Sequence, residues 1–324
     1  MNPIVSKPLT EWRAKYKGSA REVCRQRLLE LASDNADIYC LDSDMGGLET
    51  SFGAILPDQY VQVGIAEANM MTLAAALAAQ GKLPFVHTMA TFAATRACEQ
   101  IKIDIAYNNL PVKIVASHAG ISAGYLGPTH HALEDIAIMR ALPNMTVIVP
   151  VDCYEASLVM EEAVHMAGPV YIRLGREQEN NIYEHEYHWK AGTSVTLKEG
   201  HDVTIIAAGA IPVEIALQAE QLLQLRGIST RVINMHTIKP LDQVAIVKAA
   251  RETQLLITVE EHNTIGGLGS AVTEVTAEAH PIQVIRMGFK DIFCEVVGNH
   301  RELYEKYNFT VENVISQVIH HLHD

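Results

Sequence analysis

Along most of the chain, short apolar runs alternate with longer segments in which apolar positions recur at helical spacing. The runs at 38–41, 60–63, 83–87, 112–117, 146–149 and 170–174 read as buried strands. Helical spacing predicts helices over 22–33, 66–80, 92–105, 132–140 and 153–166. At 177–189 the alternation breaks into a polar and aromatic stretch with no clear period. It resumes with strands at 202–208, 230–234, 254–260 and 282–286, and with helices at 212–226, 241–251, from 269 onward and at 311–321. Strands alternating with helices imply a mostly parallel sheet covered on both faces. The expected fold class is therefore α/β, with two doubly wound domains over 19–176 and 199–324 joined by a linker at 177–198. Residues 1–18 are mixed and polar and are expected to form a surface extension.

The chain has 324 residues, enough for two domains, and 48% of them are hydrophobic, which supplies ample core. A formal net charge of -13 argues against a nucleic-acid partner. The five cysteines, Cys24, Cys40, Cys98, Cys153 and Cys294, are odd in number and form no CxxC pair. That suits a reducing cytoplasm better than a disulfide framework. No secretory signal and no apolar stretch of membrane-spanning length is visible.

Glu67 is the most informative residue. It follows a short apolar run and opens the Ala- and Met-rich helix to Ala79, which is built to be buried. Charged residues are seldom fully buried unless paired. A buried carboxylate tends toward its protonated form and can share a proton with a ligand nitrogen. The other reading is a helix-terminal acid that only complements the helix dipole.

The stretch Gly64-Ile65-Ala66-Glu67-Ala68-Asn69 resembles the signature of transketolase-like thiamine diphosphate enzymes. The resemblance runs from about residue 19 to nearly the end. It implies a pyrimidine-binding domain followed by a transketolase C-terminal domain. It also implies that Glu67 hydrogen-bonds the cofactor's aminopyrimidine and drives the proton transfer that activates it. Asp42 and Asp44 sit just past a strand end, where open α/β sheets bind ligands. Asp44 is the better match to the family's cofactor-facing carboxylate. Phe92 matches the aromatic that lies against the pyrimidine, in a pocket made less aromatic than usual by Met89, Ala93 and Ala94.

His118 and His130 both lie on loops after strands, which suits substrate contact. The resemblance implies that His130 holds the hydroxyls at the sugar's reacting end and that His118 holds the far end. Arg21 and Arg176 match two arginines that grip a substrate phosphate, for which a planar guanidinium is suited. Adjacent His130 and His131 are not expected to converge on one metal. Gly266-Gly-Leu-Gly-Ser-Ala271 is a weak dinucleotide-like match and reads as structural, as does Pro240. His320, His321 and His323 read as solvated.

Full-length enzymes of this kind carry a further domain, which holds the diphosphate and its metal through a Gly-Asp-Gly segment. No Gly-Asp-Gly occurs here. The resemblance thus implies one subunit of a split transketolase, active with an N-terminal diphosphate-binding partner in an α2β2 assembly. The partner would hold most of the thiamine diphosphate and Mg²⁺. A second departure lies in Gly124-Tyr125-Leu126-Gly127, where Leu126 replaces a family aspartate that contacts a substrate hydroxyl. Ordinary pentose phosphates are therefore disfavoured as substrates. Alternatives are a 1-deoxyxylulose-5-phosphate synthase-like or other thiamine diphosphate carboligase subunit, or a non-catalytic protein reusing the fold. Ser117-His118-Ala-Gly and Thr237-Ile-Lys-Pro favour transketolase over the synthase.

Overall fold

In the computed structural model, residues 7–322 are described; the expectation for His323 and the first six positions of the N-terminal extension lie outside them. Twelve strands form among the described residues: β1 (Ile38–Asp42), β2 (Tyr60–Gln62), β3 (Leu83–Met89), β4 (Lys113–Ser117), β5 (Thr146–Ile148), β6 (Val170–Arg173), β7 (Val195–Lys198), β8 (Val203–Ala208), β9 (Thr230–Asn234), β10 (Thr237–Lys239), β11 (Leu255–Asn263) and β12 (Val284–Phe289). They make a seven-stranded sheet ordered β10-β5-β6-β4-β3-β1-β2 and a five-stranded sheet ordered β12-β11-β8-β9-β7. Pairing is parallel except at β10–β5 and β7–β9, which are antiparallel. Strands β4 and β8 are buried along their whole length, as central strands of a sheet covered on both faces are. No helix among the described residues is long and apolar enough to cross a membrane.

Two strands escape the expected division. β7 lies inside the span read as linker, and β10, from the second half, closes the edge of the first sheet against β5. The apolar core follows the same path. Met70, Met71, Ala74 and Ala78 of the helix Glu67–Ala79 belong to one cluster with Ile206, Ile233, Leu256 and Leu268 of the second half. The opening segment also departs from expectation. Thr10–Lys15 forms a helix whose flanks, Leu9 and Tyr16, are buried in the core. Its tryptophan, Trp12, packs edge-on to Tyr154. The predicted helix 92–105 is broken into two wide, π-type turns, Phe92–Arg96 and Ile101–Ala106, flanking Cys98–Gln100. The helix expected from 132 begins only at Asp135, because Ala132 is spent on a bridge to Gly120.

The aromatic stretch between the sheets is anchored by buried carboxylates. Asp152 caps the helix Cys153–Ala163 through Oδ1, and its Oδ2 accepts from the backbone N–H groups of Ile182 and Tyr183 at 2.9 and 3.1 Å. One turn on, Glu155 accepts from Val151 N, Asn234 Nδ2 of β9, and the hydroxyls of Tyr183 and Tyr187. Burial pushes the Glu155 carboxyl up to about 7 from an ordinary 4.5, against the pull of these donors. The folded state then holds the proton more tightly than the unfolded chain. The stability this contributes is complete below the ordinary value and is lost as pH rises through about 7. Glu155→Gln is expected to gain on the wild type by up to ~3 kcal/mol between pH 5 and pH 8. Urea denaturation at several pH values checks this, and a flat difference would mean that Glu155 is ionised throughout.

Candidate active site

The candidate residues gather at the C-terminal edge of the first sheet. Asp44 follows β1, Glu67 follows β2, Phe92 follows β3, His118 follows β4 and Arg176 follows β6. That edge is where open parallel sheets bind ligands, since the strand ends and the intervening loops leave a crevice there. Arg21 enters from the side, in the first turn of the helix Ala20–Asp34. Ser19 and Glu22 cap that turn reciprocally, which fixes the direction in which Arg21 leaves it.

Glu67 is 2% exposed at the first position of its helix. Its Oε2 accepts from Arg96 Nη1 at 2.6 Å, and among the described residues no donor is paired with its Oε1. The Arg96 guanidinium also lies over the Phe92 ring, 4.1 Å from its centroid. Phe92 in turn meets the His130 imidazole edge-on at 5.3 Å. Glu67, Arg96, Phe92 and His130 therefore form one contiguous cluster. Sequence reasoning did not single out Arg96. Four residues after Phe92 it falls on the same face of the turn, and that spacing was the signal available in the sequence.

A second cluster is cationic. His118 is buried, with its Nδ1 2.9 Å from Ser117 Oγ. Burial pushes its imidazole down to about 4, and the charges of Arg21, Arg176 and Arg25 push in the same direction. It is therefore a neutral hydrogen-bonding ring among arginines at neutral pH. Arg25, also not singled out, holds the loop after β1 by donating to the carbonyls of Gly46 and Met45. Beneath this cluster His87 is buried and held down to about 3 by burial and by Arg25 and Arg21, with its Nε2 unpartnered. Fixed positive charge around neutral imidazoles is chemistry suited to an oxyanion.

Asp42 and Asp44 separate cleanly. Asp42 is fully buried and shapes the loop by accepting from Met45 N, Tyr60 Oη and Gln62 Nε2. Asp44 is exposed in the left-handed region at φ +66°. Among the described residues nothing ties it to Glu67 or to Phe92. Met89 is half-buried beside the turn, and Ala93 and Ala94 are buried beneath it. Tyr125 and Leu126 are exposed on the loop preceding His130. The segment 266–271 opens the helix Leu268–Ala279, and its Leu268 and Gly269 N–H groups are occupied by Glu260.

A buried carboxylate with one free oxygen, beside an aromatic face, fits a heteroaromatic ring carrying nitrogen donors. Among the described residues no group of three or more His, Cys, Asp or Glu side chains could hold a metal.

The sequence matches the family described as "Transketolase, pyrimidine binding domain" over residues 17–180 and "Transketolase, C-terminal domain" over residues 192–314. It is 40% identical over 290 residues to the 6-deoxy-6-sulfo-D-fructose transketolase subunit of Clostridium sp. (strain MSTE9), covering 89% of each chain. It is 40% identical over 299 residues to an apulose-4-phosphate transketolase subunit of Phocaeicola vulgatus, covering 91% of this chain and 95% of the other. Among solved structures it is similar to a split gene transketolase described as an inactive beta4 tetramer. The TM-score is 0.85 and the identity 42%, over 94% of this chain and 98% of that one.

Arg96 is about half exposed while Glu67 is buried, so removing the arginine strands a carboxylate in the interior. Arg96→Gln alone is expected to lower stability more than it does in a Glu67→Gln background. A double-mutant cycle by thermal melting should return a coupling of about 1–3 kcal/mol. A coupling near zero would mean that the pair does not persist in solution.

Proposed function

The chain belongs to the transketolase family, as the pyrimidine-binding and C-terminal subunit of a split, thiamine diphosphate-dependent enzyme, and we propose that its two clusters divide one reaction between them. The reaction is transfer of a two-carbon ketol unit from a ketose to an aldehyde. Bound thiamine diphosphate supplies the nucleophilic carbon for that transfer. Everything else follows from what this chain places around it.

Glu67 holds and moves a proton at the cofactor's pyrimidine ring through its free oxygen, while Arg96 occupies the other and fixes the carboxylate's orientation. Phe92 packs against the ring and carries His130, which orients the hydroxyls at the reacting end of the sugar. His118, Arg21 and Arg176 hold the anionic far end. A neutral His118 can donate or accept as the ligand needs, and the arginines supply the charge. Asp44 faces the cofactor from the neighbouring copy of this chain. The proposed division is a pyrimidine-binding domain over 19–176 and a C-terminal domain over 199–324, with β7 of the intervening span joining the second sheet.

The observation that carries this reading is the buried Glu67 carboxylate set beside Phe92 and His130. The diphosphate and a Mg²⁺ ion are held mainly by a partner subunit, in an α2β2 heterotetramer working in the cytoplasm. Two 40% identical relatives, both named as transketolase subunits, favour ketol transfer over the synthase-type carboligase. Leu126 offers no hydroxyl acceptor, which supports a donor other than an ordinary pentose phosphate.

Glu67→Gln is expected to abolish turnover while leaving assembly with the partner intact, as read by size-exclusion chromatography and initial rates. Normal rates in that variant would remove the central assignment. Calorimetry with thiamine diphosphate and Mg²⁺ should give tight binding only when chain and partner are mixed. Equally tight binding by this chain alone would refute the divided cofactor site.

A further inference from the structure

The turn that presents His118 is held in an unfavourable backbone conformation, and what holds it comes from the other domain. His118 sits at φ +59°, a region that non-glycine residues avoid. Gly120, two residues on, sits at φ +60°. Such conformations persist at functional sites only when their surroundings over-determine them. Here the surroundings are Glu261, near the end of β11, whose side chain is buried against the turn. Its Oε1 accepts from Ile121 N at 2.7 Å and lies 2.7 Å from His300 Nε2. The approach leaves room for nothing larger than glycine at 120, since a Cβ there would lie 2.3 Å from the Glu261 carboxyl.

The second histidine segment is tied to the same point. Gly120 and Ala132 exchange backbone hydrogen bonds at 3.1 and 2.8 Å, so the turn at 118–121 and the segment just after His130 and His131 move together. Arg173 Nη2 donates both to Ala132 O and to Glu261 O, at 3.1 and 2.9 Å. His300 opens the helix His300–Lys306, whose Asn299 cap is reciprocated by Glu302, so the imidazole is delivered from a fixed helix end.

We infer that Glu261, together with His300, is a positioning residue for the substrate-facing histidines, contributed to the active site by the C-terminal domain. It touches no substrate. It acts by accepting the Ile121 N–H and wedging against Gly120, which sets the height and direction of His118 and, through Ala132, of His130. This rests on the reading of His118 as a group that meets the anionic end of the donor. Glu261 makes no hydrogen bond or ion pair with Glu67 or Arg96, so cofactor activation is not its task.

The test uses the assembled enzyme with its partner, and compares a phosphorylated ketose donor with a short donor lacking phosphate. Glu261→Ala removes both the acceptor of the Ile121 N–H and the side chain wedged against Gly120. It should raise KM for the phosphorylated donor roughly tenfold or more, since small misplacements of a binding group carry penalties of that order. KM for the short donor, which meets His130 but not His118, should rise less, and calorimetric affinity for thiamine diphosphate should stay within about twofold. Gly120→Ala should reproduce that pattern by displacing the carboxylate, and the double variant should be no worse than either single one. A residue that merely stabilises the fold would instead lower melting temperature and active fraction, with KM unmoved for both donors. That result would overturn the inference. His118→Ala separates the two claims. If it raises KM for the phosphorylated donor and Glu261→Ala does not, only the positioning role fails; if His118→Ala itself leaves KM unchanged, the underlying reading fails as well. Should Glu261→Ala not assemble, His300→Gln reads the same pair from its other side, and an unchanged KM there is equally adverse.

Discussion

A buried ion pair organises this molecule. Arg173, at the end of β6, reaches Asp135 at the start of the helix Asp135–Ala141, with Nε 2.8 Å from Oδ2 and both side chains almost wholly out of water. Tyr171, on the same strand, donates to the same carboxylate oxygen. Two charges in such a place are costly unless every remaining donor is used. The guanidinium goes part of the way by giving Nη2 to two backbone carbonyls, Ala132 in the first domain and Glu261 in the second, while Asp135 Oδ1 stays buried without a partner. One side chain thereby fixes the first sheet, the helix beneath the histidine loop, and the strand end that brings in the other domain. Its value lies less in net stability than in specifying how those parts meet.

The electrostatics of the crevice follow from that scaffold. The arginines around His118 keep their charge, while burial and those same charges keep the imidazole neutral. A protonated histidine there would add charge for an anion but would be costly in the ligand's absence. A neutral one gives direction without that penalty. On the other side of the crevice the sign is reversed: the buried group is a carboxylate, Glu67, and its half-exposed partner is Arg96. A single ligand spanning both would present a nitrogen heterocycle to one side and an oxyanion to the other. That is the order in which cofactor and sugar lie if the two clusters act together.

Much of this was legible from residue order. The βα alternation, the two sheets and the placement of Glu67 at the mouth of a buried helix all follow from apolar period and from one misplaced charge. What was not legible has a common cause: it depends on contacts between segments distant in sequence. β10 is three residues long and has no alternation of its own; it is a strand because β5 has a free edge. Leu9 and Tyr16 look like parts of a polar leader until the groove that receives them is built. Glu155 and Asp152 read as ordinary helix-opening acids, and only the returning aromatic segment turns them into buried acceptors. Arg96 was hidden because its partner Glu67 lies on another helix, far off in the sequence. Wide turns carry no sequence period, and they tend to occur at functional sites.

These dependencies explain where a protein of this family can be divided. The two domains of this chain share an apolar core, a sheet edge and a seam of buried charges, and each of those loses its partner if the domains are separated. An orphaned buried donor or carboxylate costs far more than an exposed one. A cut between these domains would leave several. A boundary lined by polar groups that water can satisfy is different: each piece keeps its hydrogen bonds when the two part, so such a boundary can be a contact between chains. A boundary at Glu261 and Gly120 cannot, because the carboxylate that would be exposed on one side is the same one that keeps His118 in place on the other.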